Sequence, residues 1–370
     1  MLRRGLLALL FFAVLNSQAY AQGTSPAWKR LHHLQRGVAL SDWLTESSRM
    51  SLPQLRNYTT PGDIEHIHQL GFDHIRIPVG PELFRCEGSW DSCERVQILD
   101  QVIQKSLSLD MAVILDFHPD QQYTHMLDTN EQSVQAFIKL WAQIADRYGA
   151  IDPDRIFLEV MNEFNIPDHY RWSGILQEAV KVIRAHAPSS TIIVSGAQYA
   201  DIWDLVLMPP IVDTNVIYNF HYYEPHIFTH QGAWWSNEEW KSVHNLPFPP
   251  TPAGITAAID GQESESVQWN ILQYSADHWD AAHIAGDIEF AAIWARKHNV
   301  PLICDEFGAY RNFSSPEDRE RWISAVRTAL EKNHIGWSAW DYQGGFGIVY
   351  KDKNGLRDDD AALRGLGMNK

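Results

Sequence analysis

Residues 112–118 read Ala112-Val113-Ile114-Leu115-Asp116-Phe117-His118, and residues 156–163 read Ile156-Phe157-Leu158-Glu159-Val160-Met161-Asn162-Glu163. Each is a short apolar run ending on polar residues, the pattern of a strand covered on both faces. Between them Val134, Phe137, Ile138, Trp141, Ile144 and Tyr148 recur three and four apart, the spacing that gathers one buried stripe on a helix. Buried strand, amphipathic helix and buried strand make a βαβ unit, whose strands run parallel.

Working outward in both directions, the same alternation recurs. Apolar runs at 37–40, 75–79, 112–117, 156–161, 191–194, 216–220, 301–304 and 337–340 are eight strand candidates with helical stretches between them. Eight such units favour closure into an α/β (β/α)8 TIM barrel. The competing open doubly wound sheet carries a Gly-rich turn after its first strand, and Gly37-Val38-Ala39-Leu40-Ser41 offers none. No repeat and no Pro- or Ser-rich linker marks a second module, so residues 22–370 read as one catalytic domain. The connection after the sixth strand, roughly 222–281, is read as a long loop; it carries Trp234, Trp235, Trp240, Phe248, Trp269 and Trp279.

The amino end has a different character. Leu2-Arg3-Arg4, an apolar run from Leu6 to Leu15 and Ala19-Tyr20-Ala21 read as a signal peptide over residues 1–21. The run is half the roughly 20 residues that span a bilayer, so a cleaved leader and a secreted or periplasmic protein without a membrane anchor are expected. In an oxidising compartment Cys86 and Cys93 are candidates for a bridge, and Cys304, within an apolar run, reads as an inert buried thiol. A net charge of -16 argues against nucleic acid as partner, because phosphate binding is built on clustered Lys and Arg. Fifteen Trp and 13 Tyr suit sugar faces.

In such a barrel chemistry sits at the carboxyl ends of the strands. Those ends supply Asp42-Trp43, Arg76, His118, Asn162-Glu163, His221 with Tyr223, Glu306 and Trp340. The fourth and seventh strands lie on roughly opposite sides of the ring, so Glu163 and Glu306 face each other across its mouth. Cleaving a glycosidic bond with retention needs one carboxyl to protonate the leaving oxygen and another, about 5–5.5 Å away, to attack the anomeric carbon. Arg76 and the Tyr223 hydroxyl are expected to keep Glu306 ionised as nucleophile, and an apolar pocket near Phe164 to keep Glu163 protonated as acid/base.

The chain resembles glycoside hydrolase family 5, the cellulase and mannanase family of clan A. The likeness runs from Arg36-Gly37-Val38-Ala39-Leu40 through Arg76-Ile77-Pro78-Val79, Asp116-Phe117-His118, Asn162-Glu163 and His221-Tyr222-Tyr223-Glu224-Pro225 to Asp305-Glu306-Phe307-Gly308 and Trp337-Ser338-Ala339-Trp340. It implies Glu163 as acid/base and Glu306 as nucleophile. It also implies that Asn162 touches the sugar 2-hydroxyl, that His221 and Tyr223 orient the glutamates and that Trp340 stacks on the ring, with Arg76 and His118 beside them. Trp43 and Trp234 join these as candidate sugar-binding rings. Residues 228–233 and 247–250 look like a bacterial branch of β-1,4-glucanases, some of which accept mannan. Phe164 stands where the family usually has Pro, and Pro119-Asp120 replaces the commoner residues after His118.

The expected activity is therefore an endo-β-1,4-glucanase working by double displacement as a monomer on a polysaccharide or oligosaccharide, without cofactor or metal. A β-mannanase or glucomannanase, or a depolymerase of a self-made exopolysaccharide, is the alternative. A metal-dependent hydrolase finds little support: His66-Ile67-His68 lacks a carboxylate partner and no His-Glu-x-x-His occurs. A catalytically silent carbohydrate-binding barrel would have lost a carboxylate, and both glutamates are present.

Overall fold

The computed structural model describes residues 23–166 and 168–368, and the expected leader, residues 1–21, lies outside them. Eight parallel strands close into a barrel in sequence order: β1 Arg36–Ala39, β2 His74–Val79, β3 Ala112–Phe117, β4 Ile156–Glu159, β5 Thr191–Ser195, β6 Val216–Tyr222, β7 Leu302–Phe307 and β8 Gly336–Ala339. Apart from exposed Arg36, every strand residue is buried, which is why the strands read as apolar runs. The helix Glu131–Tyr148 buries Val134, Phe137, Ile138, Trp141, Ile144 and Tyr148, and Asn130 caps it through the amide groups of Gln132 and Ser133.

Side chains alternate along each strand, and the inward set changes character from bottom to top. At the amino ends Ala112, Ile114, Phe157, Ile193, Ile217 and Ile303 form an apolar plug with Ala27, Leu31 and Leu34, contributed by the segment that opens with the helix Pro26–Arg30. Gly336 is required there, because a Cβ would meet the Leu34 carbonyl oxygen at 1.7 Å. Two residues further along β2, β3, β4 and β7 the inward positions are Arg76, Asp116, Glu159 and Asp305, all buried and charged in type. The interior is therefore oil below and ions above.

The connection after β6 is not one loop, as the sequence suggested. It holds the helices His226–Thr229, Pro252–Asp260 and Glu265–Ala276 ahead of the barrel helix Ala281–His298, and it buries Phe248. A small antiparallel hairpin, β9 Val349–Asp352 with β10 Gly355–Asp358, follows β8. Cys86 and Cys93 form a disulfide, and Cys304 is free and buried.

Candidate active site

Arg76 organises the mouth. From β2 its Nε and Nη2 donate to the two oxygens of Glu159 at 2.8 and 2.7 Å, Nη2 reaches Asn162 Oδ1 at 2.8 Å, and Nη1 reaches Glu306 Oε2 at 2.7 Å. Asp116 lies 3.0 Å from the same guanidinium. Burial weakens the guanidinium charge, but Asp116, Glu159 and Asp305 more than restore it. Glu159 goes the other way: burial, with Asp116 and Asp305 close by, raises its carboxyl well above the ordinary range despite Arg76.

Glu306 Oε1 accepts the Tyr223 hydroxyl at 2.8 Å, so both its oxygens are held by donors. The register slips between Asn219 and His221 on β6 and again between Cys304 and Phe307 on β7, and in between His221 pairs with Glu306. Such irregularities re-aim side chains at barrel rims. Gly308 then lets the end of β7 run against the chain beyond β8, where a Cβ would meet the Trp340 carbonyl oxygen at 2.2 Å.

Glu163 follows β4, and its Oε1 lies 2.9 Å from His221 Nδ1. One oxygen of Glu163, one of Glu306 and a His221 nitrogen fall within 4.8 Å of one another. These three atoms, like those of Glu159, His221 and Asp305, are spaced as metal ligands could be, but Arg76 already places a fixed cation on Glu306 and Glu159. His118 bridges Asp116, 2.8 Å from Nδ1, and Asn162, whose Nδ2 is 3.2 Å from Nε2; its ring lies flat against Trp340 at 5.7 Å.

Three expectations need correction. Trp43 is fully buried with its indole N–H on the Leu55 carbonyl, so it offers no face to a sugar; the chain turns back at Asp42, whose φ of 51° is left-handed. Phe164 makes no pocket for Glu163, because it is buried in a stack on Trp172, 4.2 Å between centroids. Burial raises the Glu163 carboxyl, but the hydrogen bond and charge of His221, with His118 and Arg76 behind it, outweigh burial and leave it below its ordinary value. Of the other expected residues, Arg76, His118, Asn162, Glu163, His221, Tyr223, Glu306 and Trp340 converge at the mouth, while Trp234 is 75% exposed on the insertion after β6.

Residues beyond the sequence reading also contribute. Tyr223, Tyr310 and Phe346 pack together with Trp340 against them, and Trp235 meets Tyr310 edge-on at 4.8 Å, so rings line the β7–β8 sector. In the β4–β6 sector a cavity of about 130 Å³ opens beside Glu163, bounded by Gln198, Tyr199, Trp203, Asp287 and Phe290. Gln198, Tyr199 and Ala200 are consecutive left-handed residues, and Asn165 donates to the Tyr199 hydroxyl at 2.6 Å. No motif marks them, because that turn cannot be read from residue types that ordinarily avoid it. Asp116 and Glu159 had a signal, a carboxylate set inside an apolar strand.

A closed parallel barrel that brings two glutamates together at the ends of β4 and β7, between two aromatic sectors, has the architecture of a glycoside hydrolase. Residues 39–345 match the family model for cellulase, glycosyl hydrolase family 5. The chain belongs to that family. It is 26% identical to Endoglucanase 3 of Fibrobacter succinogenes over 88% of its own length and 52% of that protein's, so it spans about half of that relative. It is also 26% identical to Endoglucanase C of Acetivibrio thermocellus, over 83% of the chain and 90% of the relative. Among solved structures, Thermotoga maritima Cel5A in complex with cellobiose superposes with a TM-score of 0.73 at 26% identity, covering 92% of this chain and 99% of that one. The same enzyme has been solved with mannotriose.

Proposed function

We propose that the protein is an exported, retaining endo-β-1,4-glucanase, with Glu306 as nucleophile and Glu163 as acid/base. The observation that carries this reading is the approach of the two carboxylates to within 4.8 Å, with Glu306 fixed by Arg76 and Tyr223. An inverting enzyme keeps its carboxyls about 6.5–9.5 Å apart to admit a water between them. In the first step a Glu306 oxygen bonds the anomeric carbon while Glu163 delivers a proton to the departing oxygen. In the second, water gives a proton to Glu163 as its oxygen displaces Glu306.

Internal cutting is supported by rings on both sides of the glutamates: Trp235, Tyr310, Phe346 and Trp340 in one sector, and Tyr199 and Trp203, 46% and 65% exposed, in the other. Glucan as substrate is supported by the endoglucanase relatives. Mannan is the second reading, because the mannotriose complex belongs to an enzyme that superposes on this barrel. Export is supported by the sequence of residues 1–21; no helix among the described residues is long and apolar enough to cross a membrane. A neutral polysaccharide also fits the charge of -16 where nucleic acid does not, and the enzyme acts on it as a monomer.

The test is product analysis on carboxymethyl-cellulose, barley β-glucan, glucomannan, laminarin and β-mannan, with Glu306→Ala as control. Internal oligosaccharides from the β-1,4-glucans, absent in the control and first released as the β-anomer by proton NMR, are the expected result. Release of the α-anomer first refutes retention, and cleavage confined to β-mannan moves the substrate.

A further inference from the structure

His221 stands among four carboxyl groups, and the mechanism above uses only two of them. Beyond β4, Glu163 Oε1 lies 2.9 Å from Nδ1; on β7, Glu306 Oε1 lies 3.8 Å from the same nitrogen and Asp305 Oδ1 lies 3.3 Å from Nε2. Glu159, at the end of β4, completes the set, since an oxygen of Glu159, one of Asp305 and a His221 nitrogen fall within 4.8 Å of one another. Arg76 on β2 is the other cation, its Nε 3.7 Å from Asp305 Oδ2.

Asp305 is fully buried, and neither of its oxygens accepts a well-aligned hydrogen bond. A carboxylate in that state is tolerated only where nearby charge compensates it. Arg76 is already committed to Glu159, Asn162 and Glu306, and its approach to Asp305 is its longest. Arg76 and then His221 hold the Asp305 carboxyl below its ordinary value against burial, and of the two the imidazole, at 3.3 Å, makes the closer approach.

We propose that Asp305 is a positioning residue of the reaction: from beneath the site it keeps a hydrogen on both ring nitrogens of His221 in the resting enzyme, so that Nδ1 presents one to Glu163. The resting proton of the acid/base pair then sits on the imidazole, and Glu163 is the atom it passes through. As Glu306 bonds the anomeric carbon and the glycosidic bond breaks, the proton moves from Nδ1 to Glu163 Oε1 and on to the departing oxygen. When water displaces Glu306, its proton returns through Glu163 to Nδ1, and the cycle closes with one water consumed. Burial works against a charged His221, and Glu306, Asp305 and Glu163 together overcome it, raising the imidazole well above its ordinary value. The same hydrogen bond and charge from His221 outweigh the burial of Glu163 and hold its carboxyl below its ordinary value.

The proposal rests on the double displacement above, and Asp305→Asn tests it by removing the charge while keeping the shape. The pair's last proton is held less tightly without Asp305, so the alkaline limb of kcat/KM on an aryl β-cellobioside should move to lower pH by about one unit or more. A limb that stays in place in a folded variant overturns the proposal. If the variant does not fold, the ring-nitrogen chemical shifts of His221 in the wild-type enzyme decide the matter, assigned by loss of its signal in His221→Gln. Both nitrogens should carry hydrogen across the active pH range, and a neutral ring at pH 7 refutes the idea. Release of the α-anomer by wild type would sink the double displacement and leave the nitrogen shifts to judge His221 on their own.

Discussion

Arg76 is fully buried and in contact with Asp116, Glu159 and Glu306 at 2.7–3.0 Å. Removing it takes the shared guanidinium from those buried carboxyls, leaving Asp116 to His118 and Glu306 to Tyr223 and taking both donors from Glu159. Arg76→Met should lower unfolding free energy by about 3–5 kcal/mol, the typical loss on breaking a buried ion pair, as read by urea titration. A second buried carboxyl gives a pH signature. Burial pushes Asp341 up to about 7 from 3.8, and the hydrogen bond from Ser41 offsets only part of that. The folded state therefore holds a proton that the unfolded state releases between these values, and this contribution to stability fades as pH rises through 7. Asp341→Asn cannot ionise, so it should be as stable as wild type near pH 4 and more stable above pH 7, by up to about 4 kcal/mol. An identical pH dependence in the two proteins would show that Asp341 ionises normally. The sequence exposed these residues unequally. Glu163 and Glu306 stand at strand ends where polarity interrupts an apolar run, whereas the state of Asp341 is set by burial that Ser41 and Gly344, contributed from two turns of the barrel mouth, offset only in part.

At the scale of elements, all eight strand candidates became strands because burial on both faces leaves a plain apolar signature. At β7 charge hid the boundary: the strand runs on through Asp305 and Glu306 to Phe307, past the point where the apolar run stops. The plugging segment around Pro26–Arg30 was not legible, since so short a helix with Lys29, Arg30, His32 and His33 in and after it shows no buried stripe. The hairpin of β9 and β10 was hidden by exposed, mostly polar residues. The plug carries a prediction: Leu34→Ala, at a fully buried position, should lower stability by about 2–5 kcal/mol while leaving the glutamates in place. Unfolding free energy and aryl-glycoside turnover measured on one sample would separate the two effects. The Cys86–Cys93 bridge spans seven residues of sequence, and its chain-entropy contribution is about 2–3 kcal/mol. A Cys86→Ser, Cys93→Ser double variant should lose up to that amount by the same titration.

The whole molecule presents a mouth whose two aromatic sectors come from different sources. Tyr310, Phe346 and Trp340 belong to segments that follow β7 and β8, and Trp235 to the insertion after β6. On the other side Trp203 belongs to the helix Ile202–Leu207, and its ring sits 5.0 Å from Phe290. Under the proposed function, a short aryl glycoside would reach only the reacting centre, while a polymer would lie across both sectors. Trp203→Ala should therefore lower the ratio of β-glucan to aryl-cellobioside activity by about 10-fold, the effect of losing one to two kcal/mol of ring contact. An unchanged ratio would show that the polymer leaves the cleft by another route.

The plug beneath the barrel also sets an orientation. Because the segment from Pro26 to Leu34 is packed into the amino ends of the strands, the described chain begins on the face opposite the glutamates. An enzyme immobilised through its amino end would hold its mouth outward, a full barrel height from the support. The same tether beside Trp234, early in the insertion after β6, would press the mouth against the surface.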